Sequence, residues 1–128
     1  MPTPLEHGMR LVHKDARGEM YVVELPEGEM LLLFSRSGAL RGGHSHTIPE
    51  VITVLSGKMR YHKIEAGEER TVLLTDGDSS FNAADVVHMG EFLEDTWLIE
   101  WKIGARRTGW KDTNYEPWRA KVRASAGI

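Results

Sequence analysis

Cysteine is absent from this 128-residue chain. Disulfides, thiolate nucleophiles and Cys-ligated zinc are excluded together, and the composition fits a reducing, cytoplasmic compartment. Long apolar runs are missing as well. The longest is Met30–Phe34, five residues, against the roughly 20 that a membrane-spanning helix needs. The opening MPTPLEHGMR has no apolar h-region, so neither a signal peptide nor a membrane partner is expected. Net charge is also small, −3, which argues against nucleic acid as the main partner. A chain of this length with 41% hydrophobic and 27% charged residues can bury the core of one domain, and its composition alone names no function.

The charge is unevenly placed. Residues 104–128 hold six Arg and Lys against Asp112 and Glu116, a local +4, so residues 1–103 carry −7. The expected organisation is an N-terminal arm (1–18), a β-rich body (19–103) and a basic C-terminal extension (104–128). That extension is expected to lie back on the acidic body or on a neighbouring subunit.

Within the body, short β-like runs recur, each closed by turn residues. They are EMYVVEL (19–25), EMLLLFSRS (29–37), EVITVLS (50–56), KMRYHKIEA (58–66) and ERTVLLTD (69–76), then the shorter SSFNA and VVHM, and finally DTWLIEWK (95–102). Glycine punctuation at this density leaves little space for long helices before residue 104, so an all-β sandwich or barrel of about eight strands is predicted. Trp97, Ile99 and Trp101 alternate with Leu98, Glu100 and Lys102, and the aromatic face is expected to turn inward. Met30–Phe34 is apolar throughout, as in a strand buried on both sides. After Gly104 one short helix is expected, starting near Pro117.

The stretch GALRGGHSHTIPEVITVLSG, residues 38–57, carries the chemistry. In a strand, residues i and i+2 share a face, so His44 and His46 project together. Glu50 starts the next strand on the face of Ile52 and Val54. A lone carboxylate among apolar side chains is costly, and a cation is one of the few partners that stabilises it. Two imidazoles and a carboxylate suit one divalent transition metal per chain, among Fe, Mn, Ni, Co, Cu and Zn. His88 offers a fourth ligand. His7, His13 and His62 compete on residue type, but the first two sit near the N-terminus and His62 shares the polar register of Lys58 and Arg60.

The same stretch resembles the first cupin motif, G-x5-H-x-H-x3-E-x6-G, at every fixed position: Gly38, His44, His46, Glu50 and Gly57. The second motif, G-x5-P-x-G-x2-H-x3-N, is matched at Gly77 and His88 and missed at Ala83, Asp85 and Phe92. Resemblance to this family over residues 19–103 implies a double-stranded β-helix (a jelly-roll barrel) with a metal at its centre. By position its ligands would be His44, His46, Glu50 and His88. The mismatches bear on the turn before His88 rather than on the ligand. The resemblance also implies a homodimer, in which Trp110, Tyr115 and Trp118 of the extension find a place to bury.

Shared registers suggest the substrate pocket: Phe34 and Arg36 from one strand, Met59 from another, Trp97 and Trp101 from a third, and Phe92 beside the metal. Tyr61, in the register of Met59, is a candidate catalytic proton donor or acceptor, and Arg36 a candidate anchor for an anionic substrate. The expected function is a metal-dependent enzyme on a small organic molecule, with a non-haem dioxygenase-type reaction foremost. Metal-assisted isomerase, epimerase or lyase chemistry on a sugar or keto acid is the alternative, and a non-catalytic binding module the third reading.

Overall fold

The runs that alternate with a two-residue period become strands. The structure, a computed structural model, describes residues 9–25, 28–102 and 112–126; His7 and Trp110 lie outside these. In chain order the strands are β1 (Met9–Asp15), β2 (Gly18–Leu25), β3 (Gly28–Ser35), β4 (Leu40–His46), β5 (Glu50–Ser56) and β6 (Lys58–Glu65). They continue as β7 (Glu68–Thr75), β8 (Ser79–Asn82), β9 (Val87–Phe92), β10 (Thr96–Lys102) and β11 (Asp112–Asn114), and one helix, α1 (Glu116–Ser125), follows. Pro117 sits in the first turn of α1, where its missing N–H costs nothing.

Two antiparallel sheets face each other. One runs β1-β2-β3-β10-β5-β8 and the other β11-β4-β9-β6-β7. Leu31, Leu33, Ile52, Val54, Met59 and Leu98, each at most 3% exposed, pack between them. A second, smaller core lies outside the five-stranded sheet, where Trp118 and Val122 of α1 cover Leu40, Val87 and Met89. Strand β9 is therefore buried along its whole length, its even-numbered residues facing the barrel interior and its odd-numbered ones facing α1 or, at Glu91, the outer contacts of Arg60 and His62.

Part of the arm, Met9–Asp15, is an edge strand paired with β2, and Asp112–Asn114 of the extension lies back on the body by pairing with β4. Two expectations need correction. The inward face of β10 is the opposite of the one expected: Thr96, Leu98 and Lys102 are buried, while Trp97 and Trp101 are 37% and 38% exposed. Register with β3 carries the same parity across, so Trp97 faces Phe34 and Trp101 faces Met30 on the outer surface. The run Met30–Phe34 is accordingly buried at Leu31 and Leu33 and only half-buried at the positions between. The physical reason is that apolar content does not fix which face points in when the interior itself must hold charged groups.

This parity predicts the stability of two neighbouring variants. Leu98→Ala should lower the unfolding free energy by about 2–5 kcal/mol, and Trp97→Ala by about 1 kcal/mol or less. Urea denaturation of both measures the difference, and the reverse order would show that the face is misassigned.

Candidate metal centre

Strand β4 needs an irregularity to serve the site. Leu40 points outward under α1, so strict alternation would turn Arg41 inward and His44 and His46 outward. Instead the register with β9 shifts between Gly42 and His44. Gly42 and Gly43 adopt φ of +94° and +85°, conformations that cost a glycine little. The extra residue is a β-bulge, and it resets the alternation so that Arg41, His44 and His46 all face the cavity. His88 arrives opposite His44 from β9, and Glu50 opens β5 on the facing sheet.

The three imidazoles are mutual neighbours, with ring centroids 4.5–5.0 Å apart and ligand atoms within 4.8 Å of one another. Two of the rings have their Nδ1 atoms tied to acceptors, His46 to Asp112 Oδ1 at 2.6 Å and His88 to the Val86 carbonyl at 3.1 Å. Their Nε2 atoms are turned toward Glu50, at 3.6 Å and 3.0 Å. Buried His88 Nε2 has no partner in hydrogen-bonding geometry. Asn82 Nδ2 donates to Glu50 Oε1 at 3.2 Å and to the Tyr61 hydroxyl at 2.6 Å. The ammonium of Lys102 bonds Glu50 Oε2, with His46 Nε2 3.4 Å away and Glu100 Oε2 at the same distance.

Electrostatics keep the donor set in its ligand form. Burial, reinforced by His88 and His46, pushes the His44 pKa down to about 3, so the ring is neutral near pH 7. Burial and then the Lys102 charge lower His46 as well, against the opposing pull of Glu50 and Asp112. Burial alone would raise Glu50, but His88, Lys102 and His46 outweigh it and hold the carboxylate below its ordinary range. Burial likewise disfavours the Lys102 ammonium, yet Glu100 and Glu50 raise its pKa. Tyr61 goes the other way: burial and the Glu50 charge lift it well above 10, so it stays a phenol. A neutral His44, an ionised Glu50, and the rings of His46 and His88 oriented by outer acceptors together fit a divalent transition ion.

The site forms part of the wall of a cavity of about 260 Å3. Of the expected pocket residues, Met59, Phe92 and Tyr61 line it. The others do not. Phe34 stacks on Trp97 at 4.9 Å on the outer face, Arg36 lies over the Phe34 ring at 5.6 Å, and Trp101 shares that face. Residues that sequence reasoning passed over take their place: Lys102, Glu100, Arg41, Asp112 and Arg119. Lys102 had a legible signal, since Glu50 required a cation and the polar register of β10 contains one. Asp112 and Arg119 had none, because only the tertiary fold returns the extension to β4. His13 pairs with exposed Asp15, and His62 with Glu91 on the outer surface.

The second motif's mismatches are accommodated in place. Asp85, where that motif has glycine, takes a left-handed φ of +69°, which aspartate tolerates better than most residues. Its N–H donates to the His46 carbonyl at 2.7 Å, tying the turn to the site. Phe92, where the motif has asparagine, is 2% exposed and fills the cavity wall.

No family sequence model matches the chain, and no curated protein matches it. Solved structures do. The capsular polysaccharide assembling protein CapF from Staphylococcus aureus superposes with a TM-score of 0.65 at 22% identity, over 73% of this chain. KdgF from Halomonas sp. gives 0.63 at 18% over 77%, and a Bacillus subtilis oxalate decarboxylase gives 0.68 at 20% over 93%. The chain has the cupin fold. The chain spans 27% of CapF and 35% of the oxalate decarboxylase, but 89% of KdgF.

The depressed His44 pKa sets a pH dependence. The unfolded chain takes up this proton near pH 6.5, the folded chain only near pH 3. Between the two the unfolded state holds more protons, so stability rises with pH and is lost as pH falls from about 6.5 toward 3. Thermal unfolding of chelator-treated protein between pH 7.5 and 4.5 should show the decline, with a shallower slope in His44→Gln. Equal slopes would assign the titration elsewhere.

Proposed function

We propose that this cupin is a metal-dependent enzyme acting on a small organic molecule, with His44, His46, Glu50 and His88 holding one divalent transition ion. The observation that carries this reading is the convergence of His44, His46 and His88 from β4 and β9 on one cavity wall, their ligand atoms within 4.8 Å of one another, with the Glu50 carboxylate of β5 3.0 Å from His88 and 3.6 Å from His46. A bound ion of this class supplies Lewis-acid or redox chemistry and, preferring five or six ligands, keeps positions for substrate atoms. The chain's own residues do the rest. Lys102 accompanies the buried Glu50 charge. Asn82 links Glu50 to the Tyr61 hydroxyl, which as a neutral phenol is suited to donating a hydrogen bond. Leu31, Ile52 and Phe92 exclude water from the walls.

The ligand set supports a dioxygenase-type reaction as the first reading. A specific observation favours a second, Lewis-acid isomerase, epimerase or lyase chemistry: the Lys102 ammonium and the Tyr61 hydroxyl are proton-bearing groups beside the centre. That the similar structures include an oxalate decarboxylase is consistent with it.

Metal content by mass spectrometry on untagged protein is the test. About one transition metal per chain is expected, lost in His44→Ala and Glu50→Ala. Asp112→Asn, which weakens the acceptor behind His46, should reduce metal affinity roughly 10–100-fold. No metal in the wild type after anaerobic reconstitution would overturn the reading. Oxygen uptake during turnover then separates the dioxygenase from the Lewis-acid enzyme.

A further inference from the structure

Charged side chains that line the cavity mostly bring their own partners. Lys102 has Glu50 and Glu100, Arg119 has Glu116 at 2.7 Å, and Arg17 has Asp15 at 2.6 Å. Arg41 differs. It is 9% exposed, and among the described residues no carboxylate lies within ion-pair distance of it. Its Nε donates to Ser35 Oγ at 2.7 Å and one Nη2 hydrogen reaches the Phe34 carbonyl at 3.4 Å. A guanidinium has five N–H donors, and the rest of this fork has no acceptor among the described residues. These remaining donors are free to meet an anion that enters the open cavity.

The position of this charge is built. The Gly42–Gly43 bulge is what allows Arg41 and the two histidines to face one cavity, although their sequence separation is odd. Ser35, which holds Arg41, pairs with Thr96 at one end of the β3–β10 ladder, and Lys102 pairs at the other. Leu33, Leu98 and Met59 line the cavity as well. The cavity is thus polar at two chemically distinct ends with apolar walls. Burial, then the nearby Arg17 charge, lowers the Arg41 pKa, but an arginine remains protonated through the physiological range.

We propose that Arg41 is the anchor of a carboxylate subsite, so that the substrate is a small organic acid whose carboxylate meets the Arg41 fork while its other end reaches the metal centre. A single guanidinium with a planar pair of free donors matches one carboxylate in bidentate fashion. It is a poorer match to a phosphate dianion, which calls for more than one cation. Only the metal-facing end of the substrate depends on the function proposed above.

The test is calorimetric titration of the full chain with malonate, malonamide and inorganic phosphate, in metal-reconstituted protein and after removal of metal by chelator. Malonate should bind both forms, and malonamide and phosphate at least tenfold more weakly. Arg41→Gln should lose at least tenfold in malonate affinity while keeping wild-type metal content. Arg41→Lys retains the buried charge and so protects the fold; it should bind malonate several-fold more weakly than wild type because it lacks the fork. Malonate affinity unchanged in both variants, or malonamide binding as tightly as malonate, would overturn the subsite. Phosphate binding more tightly than malonate would overturn the assignment to carboxylates. Malonate binding through Arg41 in a protein that takes up no metal would sink the metalloenzyme and leave the subsite standing. A metal-loaded protein indifferent to malonate would do the reverse.

Discussion

A carboxylate with no exposure to water sits at the centre of this molecule, and the rest is arranged around keeping it charged. Glu50 receives hydrogen bonds or ionic contact from Asn82, His88 and Lys102, drawn from three strands in both sheets. An isolated ion at that depth would carry a penalty of about several kcal/mol, so each partner is a condition for the barrel closing as it does. The apolar residues on either side of it, Ile52 among them, can be buried only because the charge beside them is satisfied. Truncating any one partner leaves the others facing an uncompensated group, so effects at these positions should not add independently.

The second constraint is geometric. A strand presents every other residue to the interior, which is too coarse a rule for a site that needs Arg41, His44 and His46 together. Two glycines resolve this by absorbing one extra residue. Gly43 has a further duty, because a Cβ there would lie 1.9 Å from Arg119 Cγ. Helix α1 and the site are coupled at that point, since the Tyr115 N–H also donates to the Gly43 carbonyl at 2.9 Å.

Much of this was legible in the residues. His44 and His46 share a face by strand parity alone, as do Glu50, Ile52 and Val54, and turn residues between short runs announced an all-β fold. Glycines at 38, 57 and 77, with histidine at 88, made the cupin resemblance specific. What misled was hydrophobicity used as a compass. Trp97 and Trp101 looked like an inward face because they are apolar, yet the barrel interior needed the register of Lys102 and Glu100 to balance Glu50 and border the cavity. In Phe34 the same inversion passed to the neighbouring strand through the ladder, and Arg36 follows it onto the outer face over the Phe34 ring. Asp112 and Arg119 were beyond reach for another reason: long-range return of a segment to a distant strand leaves no local pattern.

The outward tryptophans give the molecule an optical asymmetry. Trp97 and Trp101 stand on the side of the six-stranded sheet away from the cavity, and Trp118 lies on the buried face of α1, outside the other sheet. Among the described tryptophans, none borders the cavity. Indole emission from these three will therefore follow events on the outer surfaces, such as coverage of the sheet or loosening of α1, while the chemistry inside the barrel proceeds largely unseen by it. Of the two aromatic rings that look inward beside the histidines, Phe92 and Tyr61, the latter lies 5.9 Å from the His88 ring, which makes phenol absorption in the ultraviolet the better window on the interior.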